Sequence, residues 1–308
     1  MANAFLTPSV IARAILAVLR RETVLPNLVF RDAEAEFRGK IGDTVTVRLG
    51  AFVAARTRTF GVTSSISTDE AIEFAVPVQL VTDVYSAIPV TDAELTMSVE
   101  SLVRQVIAPQ LAGVVEKLED SLATTITGAT YPAGGDLTWD ESDPFQNLVD
   151  LNKALNDNDV PRAGRRLVVG SAIEANLLID DRITSANVAG PDALPALRDA
   201  MIARRLGFDI FGSNALAEDE SYAFHRTAFI LASRAPQVPA SVQVGSSQTL
   251  ETLAVRLIQD YDSDTLQDRS VINSYIGTAV VEEPDDPTDE SEADFTLKRA
   301  VKASIASS

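Results

Sequence analysis

Apolar positions recur along this chain with two periods, and where the period changes the chain changes character. Ile11, Ile15, Val18 and Leu19 keep helical spacing behind Thr7-Pro8, a capping hydroxyl followed by a proline in the first turn, where its missing N–H costs nothing. The pattern predicts an amphipathic helix ending before Leu25-Pro26, in an arm over residues 1–27. Alone, such a helix cannot hide its apolar face. It must pack on its own body or on a neighbour. Thr44–Leu49 (TVTVRL) then alternates with period two and is β-branched, which predicts a strand. A second strand is expected over Ala71–Leu80, with Pro77 suiting an edge or a strand end. Between them, Thr63–Thr68 is a serine- and threonine-rich tip. Two strands with a polar tip and little core make a long hairpin that projects from the body. Such a hairpin is marginal in water and needs something to lie on.

Thr91-Asp-Ala-Glu94 is a capping box. Leu95, Val99, Leu102, Val106, Leu111, Val114, Leu118 and Leu122 follow at helical spacing, so a long helix is predicted to about Ile126, bent at Pro109. Residues 128–144 are rich in turn formers, and Asp143-Pro144 with Gln146 opens a helix over PFQNLVDLNKAL. Arg165–Val169 reads as a short buried strand. Ser171-Ala-Ile-Glu174 reads as a second capping box, opening a helix to about Ile179. Residues 192–206 look helical, and Gly207–Ser213 is a strand between glycines. Tyr222–Leu231 and Thr252–Asp260 fit strand or helix, and Ser270–Val281 fits a strand. The sum is α+β with strands far apart in sequence. Residues 282–294 (EEPDDPTDESEAD) carry eight acidic residues and no basic one, as in a solvated linker. The final FTLKRAVKASIASS reads as a frayed tail or a short basic amphipathic helix.

Composition narrows the function. The 308 residues suffice for one large domain or two intertwined ones, and a 46% hydrophobic share supports a sizeable core. Forty-four acidic residues against 26 basic ones give −18, which repels phosphate over most of the surface and argues against a dedicated nucleic-acid binder. A container that holds nucleic acid loosely is not excluded. The absence of cysteine removes disulfides, thiol nucleophiles and cysteine-held zinc. Arg13 interrupts the first apolar stretch, no basic region precedes it, and no apolar run reaches about 18 residues. Neither a secretory signal nor a membrane span is expected.

Candidate chemistry is sparse. The only histidine, His225, sits among apolar residues and reads as structural; no G-x-S-x-G elbow accompanies it. Asp260, Asp262 and Asp264 open like a calcium loop, but Thr265 stands where glycine is needed and Val271 where a chelating glutamate belongs. Gly164 and Gly170 bracket RRLVV without the lysine of a phosphate loop. No catalytic, cofactor-binding or metal-binding residue is assigned. Arg48, Arg56 and Arg58 form the one basic island. They are either a solvated strand face or a contact with an acidic neighbouring subunit or enclosed DNA.

The order of segments resembles the major capsid proteins of tailed bacteriophages with the Hong Kong 97 fold. The opening MANAFLTPSVIARAILAVLRRETVLPNLVFRDAEAEFRGKIGDTVTVR is similar to the branch related to the coat protein of a Salmonella podophage, common in actinobacterial phages. RRLVVGSAIEANLL (165–178), GFDIFGSNAL (207–216) with YAFHRTAFILA (222–232), and the D-Y-D plus D-R-S pairing around Asp260 and Asp268 match as well. The resemblance implies an N-arm (1–35), an extended E-loop (36–80), a P-domain with a spine helix (81–128), an A-domain (129–260), a return to the P-domain (261–281) and an acidic linker and tail (282–308). The stretch from Ser213 to Thr252 is too short for the domain inserted in the podophage coat, so functions of that insertion are not carried over. The resemblance further implies a non-enzymatic, cofactor-free subunit that assembles with itself into hexamers and pentamers of an icosahedral shell around double-stranded DNA. Scaffolding, portal and decoration proteins would be its other partners. It would be made in the host cytoplasm and end in the virion capsid, with Ile11, Ile15, Leu19, Arg48, Arg56 and Arg58 as subunit contacts. An encapsulin-like compartment and, from another class, a carboxylate-based hydrolase are the rival readings.

Overall fold

The computed structural model describes residues 24–31, 44–52, 72–90, 108–184, 201–240, 242, 244–250, 253–262, 267–284 and 295–306. In chain order its elements are α1 (Leu25–Leu28), β1 (Thr44–Phe52), β2 (Ile72–Gln79), β3 (Thr82–Val90), α2 (Ala108–Thr127), β4 (Asp136–Trp139), α3 (Pro144–Asp157), β5 (Arg165–Val169), α4 (Ser171–Ile179) and α5 (Asp181–Thr184). Ten strands follow: β6 (Met201–Arg205), β7 (Phe208–Gly212), β8 (Glu220–His225), β9 (Phe229–Arg234), β10 (Val244–Leu250), β11 (Leu253–Asp262), β12 (Gln267–Val280), β13 (Glu283–Pro284), β14 (Phe295–Thr296) and β15 (Ala300–Ile305).

Two larger sheets organise these elements. One runs β10-β11-β12-β3, with β9 pairing the far end of the long strand β12. Helix α2 lies across β3 and β12. Its stripe Leu111, Val114, Leu118 and Leu122 is buried, as the helical spacing predicts, against Val84, Val255, Leu257, Ile272 and Ile276. Gln110 bolts the helix to the sheet: its Nε2 donates to the carbonyls of Ser270 (2.8 Å) and Ser86 (3.2 Å), and its Oε1 accepts from the Ser270 hydroxyl (3.0 Å). Burying an amide is tolerated only when its polar atoms are bonded in this way. At the other end, Thr125 bonds Thr278 at 2.8 Å. The Thr91 capping box and the residues before Ala108 lie outside the described residues.

The second sheet is six-stranded, in the order β4-β15-β8-β5-β7-β6. Helices α3 and α4 cover one face, burying Leu148, Leu151, Leu155, Ile173 and Leu177 against Leu167, Val169, Phe208, Ile210 and Val301. Asp143 caps α3 through the backbone N–H of Gln146 at 3.1 Å, as its sequence predicts. Arg165 is 1% exposed and ties α3 to β5, donating to Asn156 Oδ1 (2.9 Å) and the Pro161 carbonyl (3.1 Å).

Three sequence expectations change. Met201–Arg205, expected within a helix, is an edge strand paired antiparallel with β7. Ser171 is not a cap; it lies inside the first turn of α4, and Gly170 holds the N-cap position without a side-chain bond. The Glu218 carbonyl accepts the first-turn N–H groups of Ala172 (3.0 Å) and Ile173 (3.4 Å) in place of a capping side chain, and Gly170 has no room for one, since a Cβ there would stand 2.0 Å from the Ala217 carbonyl oxygen. Where the sequence left strand or helix open, Tyr222–Leu231 is two strands separated by a turn, and residues 253–260 lie in strand β11. The described part of the C-terminal segment, residues 295–306, is neither frayed nor helical. As β15 it lies inside the six-stranded sheet, parallel to β4 and antiparallel to β8.

Candidate assembly surfaces

Strands β1 and β2 pair antiparallel from Thr44–Gln79 to Phe52–Ile72, with Pro77 opposite Thr46 and Arg48 opposite Ala75. This is the hairpin expected from the alternating pattern. The base is well seated. Val78 and Leu80 are buried with Ile230, Ala232 and Val281, and Gly277 of β12 passes so close that a Cβ there would lie 2.2 Å from the Gln79 carbonyl oxygen. Arg56, Arg58, Ile11, Ile15 and Leu19 lie outside the described residues, and of Arg48 only the strand position is described.

Residues 24–31, where the expected arm reaches the body, are fixed at three points. Glu119 of α2 accepts the backbone N–H groups of Val24 and Leu25 (3.1 Å to Leu25), a carboxylate at the start of α1. Burial pushes the Glu119 carboxyl above its ordinary range, while those two N–H groups pull it down. Arg166 donates to the Asn27 carbonyl at 2.6 Å, and Phe30 bridges Ile230 of β9. Leu25 and Leu28 are 0% and 4% exposed, so this stretch belongs to the core. No sequence signal links Glu119 to residues so far upstream.

The sheet face turned away from α2 carries a chain of bonded polar side chains. Asn273 donates to Asp83 (3.0 Å) and accepts from Arg256 (2.9 Å), a chain across three strands. Beside it, Arg269 grips Asp260 with two bonds of 2.7 and 3.1 Å, holding that carboxyl below its ordinary range. Asp260 thus serves a strand-to-strand ion pair. Tyr85, on the same face, is 68% exposed.

His225 closes a seam between three segments. Its Nε2 is 2.9 Å from the Ala163 carbonyl, which can only accept, so Nε2 carries the proton. Nδ1 then accepts from the Thr227 hydroxyl at 2.8 Å, and that hydroxyl in turn accepts from Arg299. Burial, with Arg299, Arg226 and Arg165 nearby, lowers the histidine pKa from 6.5, against the Ala163 carbonyl. The folded state therefore resists a proton that the unfolded chain accepts, and stability should fall as pH drops below about 6.5. Denaturant unfolding at pH 7 and pH 5.5, compared with His225→Gln, checks this. The wild type should lose more stability on acidification than the variant, and equal losses would contradict the reading.

Among the described residues, no group of three His, Asp or Glu side chains could hold a metal ion, and no helix is long and apolar enough to cross a membrane.

By sequence, the chain matches no protein-family model and no curated protein. By structure it matches solved particles over nearly its whole length. A chain of Mycobacterium phage Che8 superposes with TM-score 0.61 at 21% identity, over 92% of this chain and 91% of that one. A chain from the capsid of the cyanophage P-SCSP1u gives 0.58 at 11% identity, over 94% and 89%. The chain has the Hong Kong 97 capsid fold. A virus-like particle from Pyrococcus furiosus shares this fold with TM-score 0.51 at 13% identity, covering 95% of this chain and 97% of that chain. In the Hong Kong 97 fold of this chain, the α2 core takes in Val168, Tyr222 and Phe224 of the six-stranded sheet, whose other residues Leu167, Val169 and Ala223 join the α3/α4 core, and the hairpin is rooted between β12 and β9.

Proposed function

We propose that this chain is the major capsid protein of a tailed phage. It assembles with itself into hexamers and pentamers of an icosahedral shell that encloses double-stranded DNA and binds no particular sequence. The observation that carries the reading is the likeness to phage capsid chains along nearly the full length of both partners. In this reading residues 1–35 form the N-arm, 36–80 the E-loop, 81–128 the P-domain with its spine helix, 129–260 the A-domain, and 261–281 the return to the P-domain. Residues 282–308 combine the acidic linker with the tail that completes the six-stranded sheet. The branch is the one related to the Salmonella podophage coat. The chain is not an enzyme and needs no cofactor. Scaffolding, portal and decoration proteins are its further partners, and it assembles in the host cytoplasm before residing in the virion.

The mechanism is physical. A two-stranded ribbon rooted at Val78 and Leu80 gains its missing packing surface by lying across a neighbour. Arg48, Arg56 and Arg58 meet the acidic surface of that neighbour, in a chain of net charge −18. The Ile11, Ile15 and Leu19 face of the arm is covered by an adjacent subunit. Many modest contacts add through multivalency. A second reading, a cellular compartment of encapsulin type, is supported by the likeness to the Pyrococcus furiosus particle.

Electron microscopy of the purified protein, alone and co-expressed with its neighbouring genes, tests the assembly. Closed shells are expected, and monomers under every condition would sink the proposal. Nuclease-protected DNA inside separates the phage reading from the compartment. Reversing all three arginines to glutamate should lower shell yield by about tenfold or more with the subunit still folded, the loss of several charge-paired contacts.

A further inference from the structure

A ring of identical subunits closes through two different surfaces, one on each side of the protomer, that fit each other. The six-stranded sheet ends in two such sides, β6 and β4, and they differ in character. On the β6 side, α4 ends in Leu178 and Ile179, which are 51% and 80% exposed. The next helix, α5, leads to β6, where Arg205 Nε bonds the Ile183 carbonyl at 3.2 Å and so draws α5 against the strand. Arg204 on β6 keeps 69% of its side chain exposed while paired with Asp209, and Leu206 follows in the next turn. The β6 side therefore carries both exposed apolar side chains and a guanidinium, in a chain of net charge −18. Apolar and arginine side chains together are the composition of interface hot spots.

The β4 side is the complement. Between β4 and α3 lies an open groove of about 410 Å³. Leu137, Leu151 and Ala154 give it an apolar floor, and Asp150 and Asp157 stand on its helical wall. Among the described residues lining it, Lys153 is the only cation and pairs with Asp157 at 2.7 Å, so the two carboxylates leave the groove acidic, with Asp150 exposed and accepting from Gln146 Nε2 at 2.9 Å. The charged edge of β6 disfavours direct strand addition, as charged edges generally do. Side chains seated in a groove fit the two surfaces better.

We propose that, within each capsomer, the α4–β6 corner of one copy of this chain seats in the β4–α3 groove of the next, with Ile179 on the apolar floor and Arg204 beside Asp150. The inference rests on the capsid reading, in which subunits close head-to-tail into rings and both surfaces find a partner. It assigns the contact that closes the ring to the six-stranded sheet, separately from the hairpin.

The test compares wild type with Ile179→Asp, Arg204→Asp and the double reversal Arg204→Asp with Asp150→Arg, by native mass spectrometry and electron microscopy. All substituted side chains are exposed, so circular dichroism should show folded subunits throughout. Wild type is expected to form rings and shells. Each single variant should reduce them by about tenfold or more, and the double reversal should restore them. Wild-type shells unaffected by Ile179→Asp, or single defects that the double reversal leaves unrepaired, would overturn this contact and leave the capsid reading standing. A wild type that never assembles would overturn the capsid reading itself.

Discussion

A chain ending at Asp294 should not fold. Removing residues 295–308 withdraws β15 from between β4 and β8. Ala300, Val301, Ala303 and Leu297 are each 2% exposed or less, and burying a single valine or leucine contributes about 1.5–3 kcal/mol. The larger loss lies in what those residues cover. β4 has no other strand partner among the described residues, so its four residues lose their sheet. Glu220, which bonds Lys302 at 2.8 Å, would keep a half-buried carboxylate without its cation. Ser221 would lose the Ala303 carbonyl at 3.0 Å, and Asp219 the Ile305 N–H at 2.9 Å. Broken buried pairs cost several kcal/mol because the surviving partner stays desolvated. Against a total stability of about 5–15 kcal/mol, the expected result is insoluble or protease-sensitive protein without a cooperative thermal transition. Trimming Ser307 and Ser308 alone should leave the melting curve unchanged. A soluble, cooperatively melting chain ending at Asp294 would show that the strand is dispensable.

That strand also marks where local sequence stops predicting the fold. Helix α2 is legible because four large apolar residues repeat at helical spacing, and the start of α3 because Asp143 and Pro144 each do a known job at a helix terminus. AVKASI carries no comparable signal. Its buried residues are mostly alanines, and its partners lie far upstream, so only the assembled sheet makes it a strand. MIARR has helix-favouring residues, yet pairing with β7 wins, as tertiary context overrides weak propensity. Ser171 fails as a cap for a reason no pattern could carry, the distant Glu218 carbonyl that accepts the first-turn N–H groups of Ala172 and Ile173. The candidate surfaces divide the same way. The arginines of the hairpin stand out as a basic island in an acidic chain. Leu178 and Ile179 do not, because a sequence does not say which apolar residues remain uncovered after folding.

Gly277→Ala should separate folding from assembly. The added methyl would meet the Gln79 carbonyl oxygen at 2.2 Å and the Gln79 carbonyl carbon at 2.9 Å. Both are backbone atoms, so β12 and the base of the hairpin must move apart. Overpacking of this kind costs about 1–3 kcal/mol, which the two large cores should survive with a melting point a few degrees lower. The consequence for the hairpin is greater. β1 spans nine residues, about 30 Å at roughly 3.3 Å each, so a tilt of about 10° at the base moves the far end by about 5 Å. Contacts between rigid surfaces do not follow a shift of that size. Shell yield in electron micrographs is therefore expected to fall by about tenfold or more while circular dichroism still reports a folded subunit. Gly113→Ala is the matched control: it lies in α2, where an added Cβ meets nothing within 4 Å, and alanine favours a helix over glycine. That variant should melt slightly higher and assemble normally. Normal shells from Gly277→Ala would mean that the seating of the hairpin base does not control assembly, and the grip between subunits would then have to lie in the arm and the ring contact.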